Sequence, residues 1–84
     1  MDNILFLNLL YDFYGELLTK HQRNVFVMHF SEDLSLSEIC EQIGTTKQAV
    51  SDILRRTEKK LRWYEEKLRL VQQHVSSEEN QNGI

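Results

Sequence analysis

The sequence predicts an all-α fold of four or five helices built around a helix-turn-helix unit. Three observations predict it. The 84-residue chain has no proline and only three glycines, too few turn-forming residues for a small strand-rich domain. Its apolar residues recur at spacings of three and four, the period of one helix face. Residues 34–54, LSLSEICEQIGTTKQAVSDIL, read as a helix, a glycine turn and a second helix. A chain of this length is one domain with a marginal core, so sharing apolar surface with a partner is expected.

The first helix is expected over about residues 2–18. Leu5, Leu9, Tyr11, Phe13, Tyr14, Leu17 and Leu18 crowd it so densely that burial on more than one side is expected. The segment begins with an acid, lacks a basic leader and is interrupted by Asn8 and Asp12, which suits a core helix and not a signal peptide or a membrane span. Thr19 and Gln22 match a capping box, in which the hydroxyl accepts from the third helical N–H and the amide reaches back. A second helix therefore runs from Lys20 to about Phe30, burying Val25, Phe26 and Met28 or His29.

Ser35 and Glu38 form another such box and open a third helix through about Gln42. Gly44 stands where a tight turn needs positive φ, and Thr45 or Thr46 caps the fourth helix. From Lys47 onward Val50, Ile53, Thr57, Leu61, Tyr64, Leu68, Val71 and Val75 form a single stripe. No glycine or proline interrupts it, so the spacing predicts one helix of about 28 residues, roughly 42 Å long. The expected domain is 1–75, with the motif at 35–56, and 76–84 is a polar flexible tail.

Within the motif the two helices cross steeply and need a small residue at closest approach, a turn glycine and apolar residues facing the third helix. Cys40, Gly44 and the set Ile39, Ile43, Val50 and Ile53 fill those places; Thr45 stands where a branched aliphatic is more common. The charge is uneven. Residues 1–44 hold two bases against seven acids, a net −5; residues 45–69 hold eight bases against four acids, a net +4; the remainder adds −2, giving −3 for the chain. Affinity for nucleic acid comes largely from basic groups that release phosphate counterions, so the local +4 outweighs the global sign.

If the motif reads DNA, the first turn of its second helix faces the bases. That nominates Thr46, Lys47, Gln48 and Ser51, with Asp52 and Arg55 one turn on. Lysine donates to guanine and glutamine pairs with adenine in the major groove, while Arg55, Arg56 and Lys59 are placed as phosphate anchors. The same bases also suit an ordinary solvated helix face, and Asp52 favours that alternative because phosphates repel a carboxylate.

The stretch LLTKHQRNVFVMHFSEDLSLSEICEQIGTTKQAVSDILRRTEKKL resembles region 4 of bacterial sigma factors, with its threonine cap, S-L-x-E-I helix and trailing basic helix. With LYDFYGELLT before the motif and YEEKLRL after it, roughly residues 5–70 are more closely similar to the YlxM family of helix-turn-helix proteins. The chain departs from that family at Ser51, where tyrosine is usual, at Ile53, where asparagine is common, and at Cys40, where alanine is common. The resemblance implies a sigma-region-4-like, DNA-binding regulatory protein with a role in the signal recognition particle pathway, suggested by the family's gene neighbourhood. The alternative it implies is a protein- or RNA-interaction adaptor of that system on the same scaffold. Expected partners are DNA, components of the particle, and a second copy of the chain.

Other chemistry finds little footing. His21, His29 and His74 are scattered and Cys40 has no companion cysteine, so no metal, no cofactor and no disulfide are expected. No catalytic motif is present, and Glu65 and Glu66 read as helix-surface acids, with Arg62 pairing Glu66 at i, i+4. An enzyme is not expected, and a reducing, cytoplasmic setting is. Trp63 and Leu70, off the main stripe, either fill the core against the first helix or join a partner seam. Because three shorter helices cannot cover a 42 Å rod, a homodimer through residues 61–75 is expected.

Overall fold

This computed structural model describes the backbone of residues 3–82 and the side chains of residues 3–76. Among them lie five α-helices: α1 (Asn3–Tyr14), α2 (Lys20–Phe26), α3 (Leu36–Ile43), α4 (Lys47–Leu68) and α5 (Leu70–Asn82). A 3₁₀ turn (Gly15–Leu17) ends α1, and a π-turn (Val27–Ser31) extends α2. The all-α fold expected from the sequence is the fold observed.

Both capping boxes form. Thr19 Oγ1 accepts from the Gln22 N–H and the Gln22 amide accepts from the Thr19 N–H, each at 3.1 Å. Ser35 and Glu38 repeat the exchange at the head of α3. After α2 the π-turn closes through a Glu32 N–H bond to the Val27 carbonyl at 2.9 Å. His29 Nδ1 lies 3.0 Å from the Leu34 carbonyl oxygen; a carbonyl only accepts, so this nitrogen carries the proton. Asp33, at φ 60°, then reverses the chain, a conformation that aspartate tolerates better than most residues. Met28 and His29 are both half-buried, whereas Val25 and Phe26 are fully buried.

Two apolar clusters share α4 as their floor. Leu7, Leu10, Tyr14, Leu18, Phe26, Leu61 and Val71 form one, between α1, α2, α4 and α5. Tyr11 stacks on Phe26 at 4.7 Å between ring centroids. Val25, Ile39 and Val50 form the other, bordered by Met28, Leu34, Leu36, Cys40, Ile43, Ile53 and Leu54. This second cluster is the inside of the helix-turn-helix. Cys40 is half-buried and its thiol donates to the Ser37 carbonyl. The first helix is not buried on several sides as its composition suggested: Ile4, Leu5, Phe13 and Leu17 are exposed, because α2, α4 and α5 cover only the face carrying Leu7, Leu10 and Tyr14.

The predicted 28-residue helix is also corrected. It breaks at Arg69, which adopts a left-handed conformation (φ 55°, ψ 33°) and caps α4. A helix start leaves its first N–H groups without partners, and here they are met by side chains from elsewhere. Leu70 N–H donates to Tyr14 Oη at 3.0 Å, and Val71 and Gln72 donate to the Glu65 carboxylate at 3.0 and 3.1 Å. Tyr14 in turn donates to Glu65 Oε1 at 2.6 Å. The turn brings Val71 into the core and sets His74 against Phe13, 5.5 Å between centroids.

The seam expected across residues 61–75 is thereby divided. Leu61 and Val71 lie in the chain's own core, Tyr64 and Val75 pack at its border, and Leu68 and Leu70 are exposed. Trp63 and Leu70 do not share a face, since they belong to different helices, and both are exposed. Arg62 pairs with Glu58 at 3.4 Å, not with Glu66, and reaches Asn3 at 2.8 Å. The tail expected at 76–84 falls mostly outside the described side chains; the backbone of α5 runs to Asn82. Among the described residues no helix is long and apolar enough to cross a membrane, and none of their His, Cys, Asp and Glu side chains cluster to hold a metal ion.

Candidate nucleic-acid interface

Gly44 ends α3 at φ 71°, and a Cβ added there meets nothing within 4 Å. The turn therefore requires glycine for its dihedral angle alone. Two residues later Thr46 caps α4, its Oγ1 accepting from the Ala49 N–H at 3.1 Å; of the two threonines, it is Thr46 that caps. Its hydroxyl hydrogen remains available to donate outward. Helix α4 is anchored from below by Val50, Thr57 and Leu61, all buried. Thr57 satisfies its hydroxyl by donating to the Ile53 carbonyl at 2.7 Å.

Anchoring that face turns its opposite outward. Thr46, Lys47, Gln48, Ser51, Arg55, Arg56 and Lys59 are exposed and Asp52 is half-buried. All eight residues nominated from the sequence thus share one surface, along the first three turns of α4 and its cap. Thr46, Lys47, Gln48 and Ser51 surround the amino end, where the unpaired N–H groups and the helix dipole attract anions. Arg55, Arg56 and Lys59 lie about two to three turns further along the same helix.

Asp52 modifies this picture. Its carboxylate pairs with Arg55 through one oxygen and with Arg56 Nε through the other at 3.1 Å. Both arginine side chains are 74% exposed, so the pairs are screened and each is worth roughly 0.2–1 kcal/mol. The carboxylate holds two guanidinium groups in place and offsets part of their charge. Arg62 is committed to α1, its guanidinium 5.6 Å from the centre of the Phe6 ring as well as on Asn3.

On the supporting helix, Glu38 is held below the usual carboxylate range by hydrogen bonds from the Ser35 backbone and side chain, which favour its ionised form. At the far joint the Tyr14 hydroxyl is pushed above its ordinary value of 10.0, first by burial and then by its bond to Glu65. The Leu70 N–H opposes these effects.

Residues beyond the nominated set extend the surface. Lys60 and Trp63 line a shallow depression with Arg56 and Lys59, and the Lys67 ammonium lies 5.9 Å from the centre of the Trp63 ring. The signal for them was present in the sequence: positions 56, 60, 63 and 67 recur at intervals of four, three and four, one row on a helix.

Known proteins are similar to this chain in sequence. The family described as "Putative helix-turn-helix protein, YlxM / p13 like" matches residues 1–84. A UPF0122 protein of Clostridium kluyveri is 46% identical over 84 residues, covering all of this chain and 76% of its own length. One from Caldanaerobacter subterraneus is 52% identical over 73 residues, covering 87% of this chain and 62% of its own. One from Desulforamulus reducens is 55% identical over 65 residues, covering 77% and 56%. The chain therefore spans between about half and three quarters of the length of these relatives. With its geometry and its matches in agreement, the chain belongs to the YlxM/p13-like family of helix-turn-helix proteins.

Proposed function

We propose that this protein is a DNA-binding regulator that inserts the amino end of α4 into the major groove of duplex DNA. The observation that carries the reading is the capped, outward-facing first turn of α4, followed on the same face by exposed bases. Thr46, Lys47, Gln48 and Ser51 are the residues for base edges, and Arg55, Arg56 and Lys59 those for phosphates. Asp52 sets the two arginines. The protein acts by binding and not by catalysis, in the cytoplasm, and the setting we propose, from family resemblance, is the signal recognition particle pathway. A dimer presenting two recognition helices would pair through the exposed Leu68 and Leu70, since Leu61, Tyr64, Val71 and Val75 pack within the chain.

Selection of short duplexes from a random pool at about 50 mM salt tests the reading. Enrichment of a sequence by the native chain, lost in the Lys47→Ala, Gln48→Ala double variant, is expected. No retained duplex, together with capture of the particle's protein or RNA after treatment with a DNA-specific nuclease, would instead establish the adaptor.

A further inference from the structure

Trp63 is the chain's only tryptophan, and it is 53% exposed. Its surroundings are basic. With Arg56, Lys59 and Lys60 it lines a depression of about 260 Å³ on the outer face of α4, and Lys67 stands over the indole. The nearby acids are largely spoken for: Asp52 by Arg55 and Arg56, and Glu58 by Arg62. Glu66 lines a second depression at the ring, together with Arg55, Glu58, Lys59 and Arg62. Lys59, Lys60 and Lys67 have no carboxylate in ion-pair distance among the described residues.

The patch shares Arg56 and Lys59 with the duplex site, but its indole lies beyond the base-reading turn. Trp63 lies about 24 Å along the helix axis from Lys47, and one major groove, about 12 Å wide, does not hold both. A duplex also hides the flat faces of its bases, which are already stacked. What an exposed indole flanked by the unpaired Lys59 and Lys60 and by Arg56, which Asp52 shares, offers is a π-face for a base and counter-charges for the phosphates on either side of it.

We propose that Trp63 is a stacking platform for single-stranded DNA, with an unpaired base on the indole and the neighbouring phosphates on Arg56, Lys59 and Lys60. This rests on nucleic acid being the ligand of α4, but not on recognition of a duplex.

As the sole tryptophan, Trp63 reports its own occupancy by fluorescence. Titration with (dT)12 at about 50 mM salt should quench it. Trp63→Ala should weaken labelled (dT)12 by about five- to a hundredfold, Trp63→Phe should restore most of that loss, and both variants should bind duplex within about twofold of the native chain. Quenching by (dT)12 in a protein that binds no duplex would uphold the platform and remove the duplex reading. Absence of quenching while duplex still binds would do the reverse. Tighter binding of (rU)12 or of a poly-glutamate peptide than of (dT)12 would overturn the proposal, as would equal loss of strand and duplex in Trp63→Ala.

Discussion

Asp52 and Glu65 are carboxylates of the same helix, and their surroundings give them different work. Asp52 faces solvent and holds Arg55 and Arg56; a phosphate approaching those arginines also meets its charge. Two unit charges at about 4 Å in water interact by about 1 kcal/mol. Asp52→Asn should therefore tighten duplex binding about fivefold at low salt, read by anisotropy, with little change in thermal stability; weaker binding would show that the carboxylate matters more as a guide than as a repellent. Glu65 instead gathers the Tyr14 hydroxyl and two N–H groups of α5. Tyr14→Phe strips one donor from Glu65 and leaves the Leu70 N–H unpaired, a loss of about 1–3 kcal/mol, visible as a fall of roughly 4–8 °C in Tm per kcal/mol. An unchanged Tm would refute the joint. The raised Tyr14 pKa sets a direction with pH: its stabilisation is whole below the unfolded value near 10.0 and is lost as pH rises through the higher folded value. Urea midpoints should fall in that alkaline window in the native chain and less in Tyr14→Phe.

At the scale of the element, what was legible is what is local. Both capping boxes, the Gly44 turn, the Thr46 cap and the motif cluster around Ile39 and Val50 are set by residues within a few positions of one another. The nominated face of α4 was legible for the same reason, because the buried period of a helix fixes its exposed one. The break at Arg69 was not. Its cap comes from Tyr14 and Glu65, and Tyr14 lies 56 positions from Leu70; a left-handed arginine leaves no trace in an apolar period that continues across it. Exposure of Leu5, Phe13 and Leu17 was hidden too, since composition does not say which faces a neighbour covers. Two substitutions probe these elements. Thr46→Ala should cost about 1 kcal/mol by loss of the cap and lower the Tm accordingly. Arg69→Gly should raise the Tm by relieving a left-handed residue that costs about 1–2 kcal/mol, less the added freedom of the unfolded chain, whereas Arg69→Val should lower it. Equal Tm values for both Arg69 variants would contradict the described joint.

Over the whole molecule, the −3 net charge averages an acidic first half and a basic α4. The fold gives those halves different places: α1, α2 and α3 supply the apolar packing that fixes α4, and α4 presents basic side chains. The central claim is that this face binds duplex DNA through phosphate contacts, and the salt dependence of binding tests it most directly. If Arg55, Arg56 and Lys59 each neutralise one phosphate, log K should fall with log salt at a slope of about −3, and the Arg55→Ala, Arg56→Ala double variant should flatten that slope by about two. No duplex binding at about 50 mM salt, or a slope untouched by the double substitution, would contradict it.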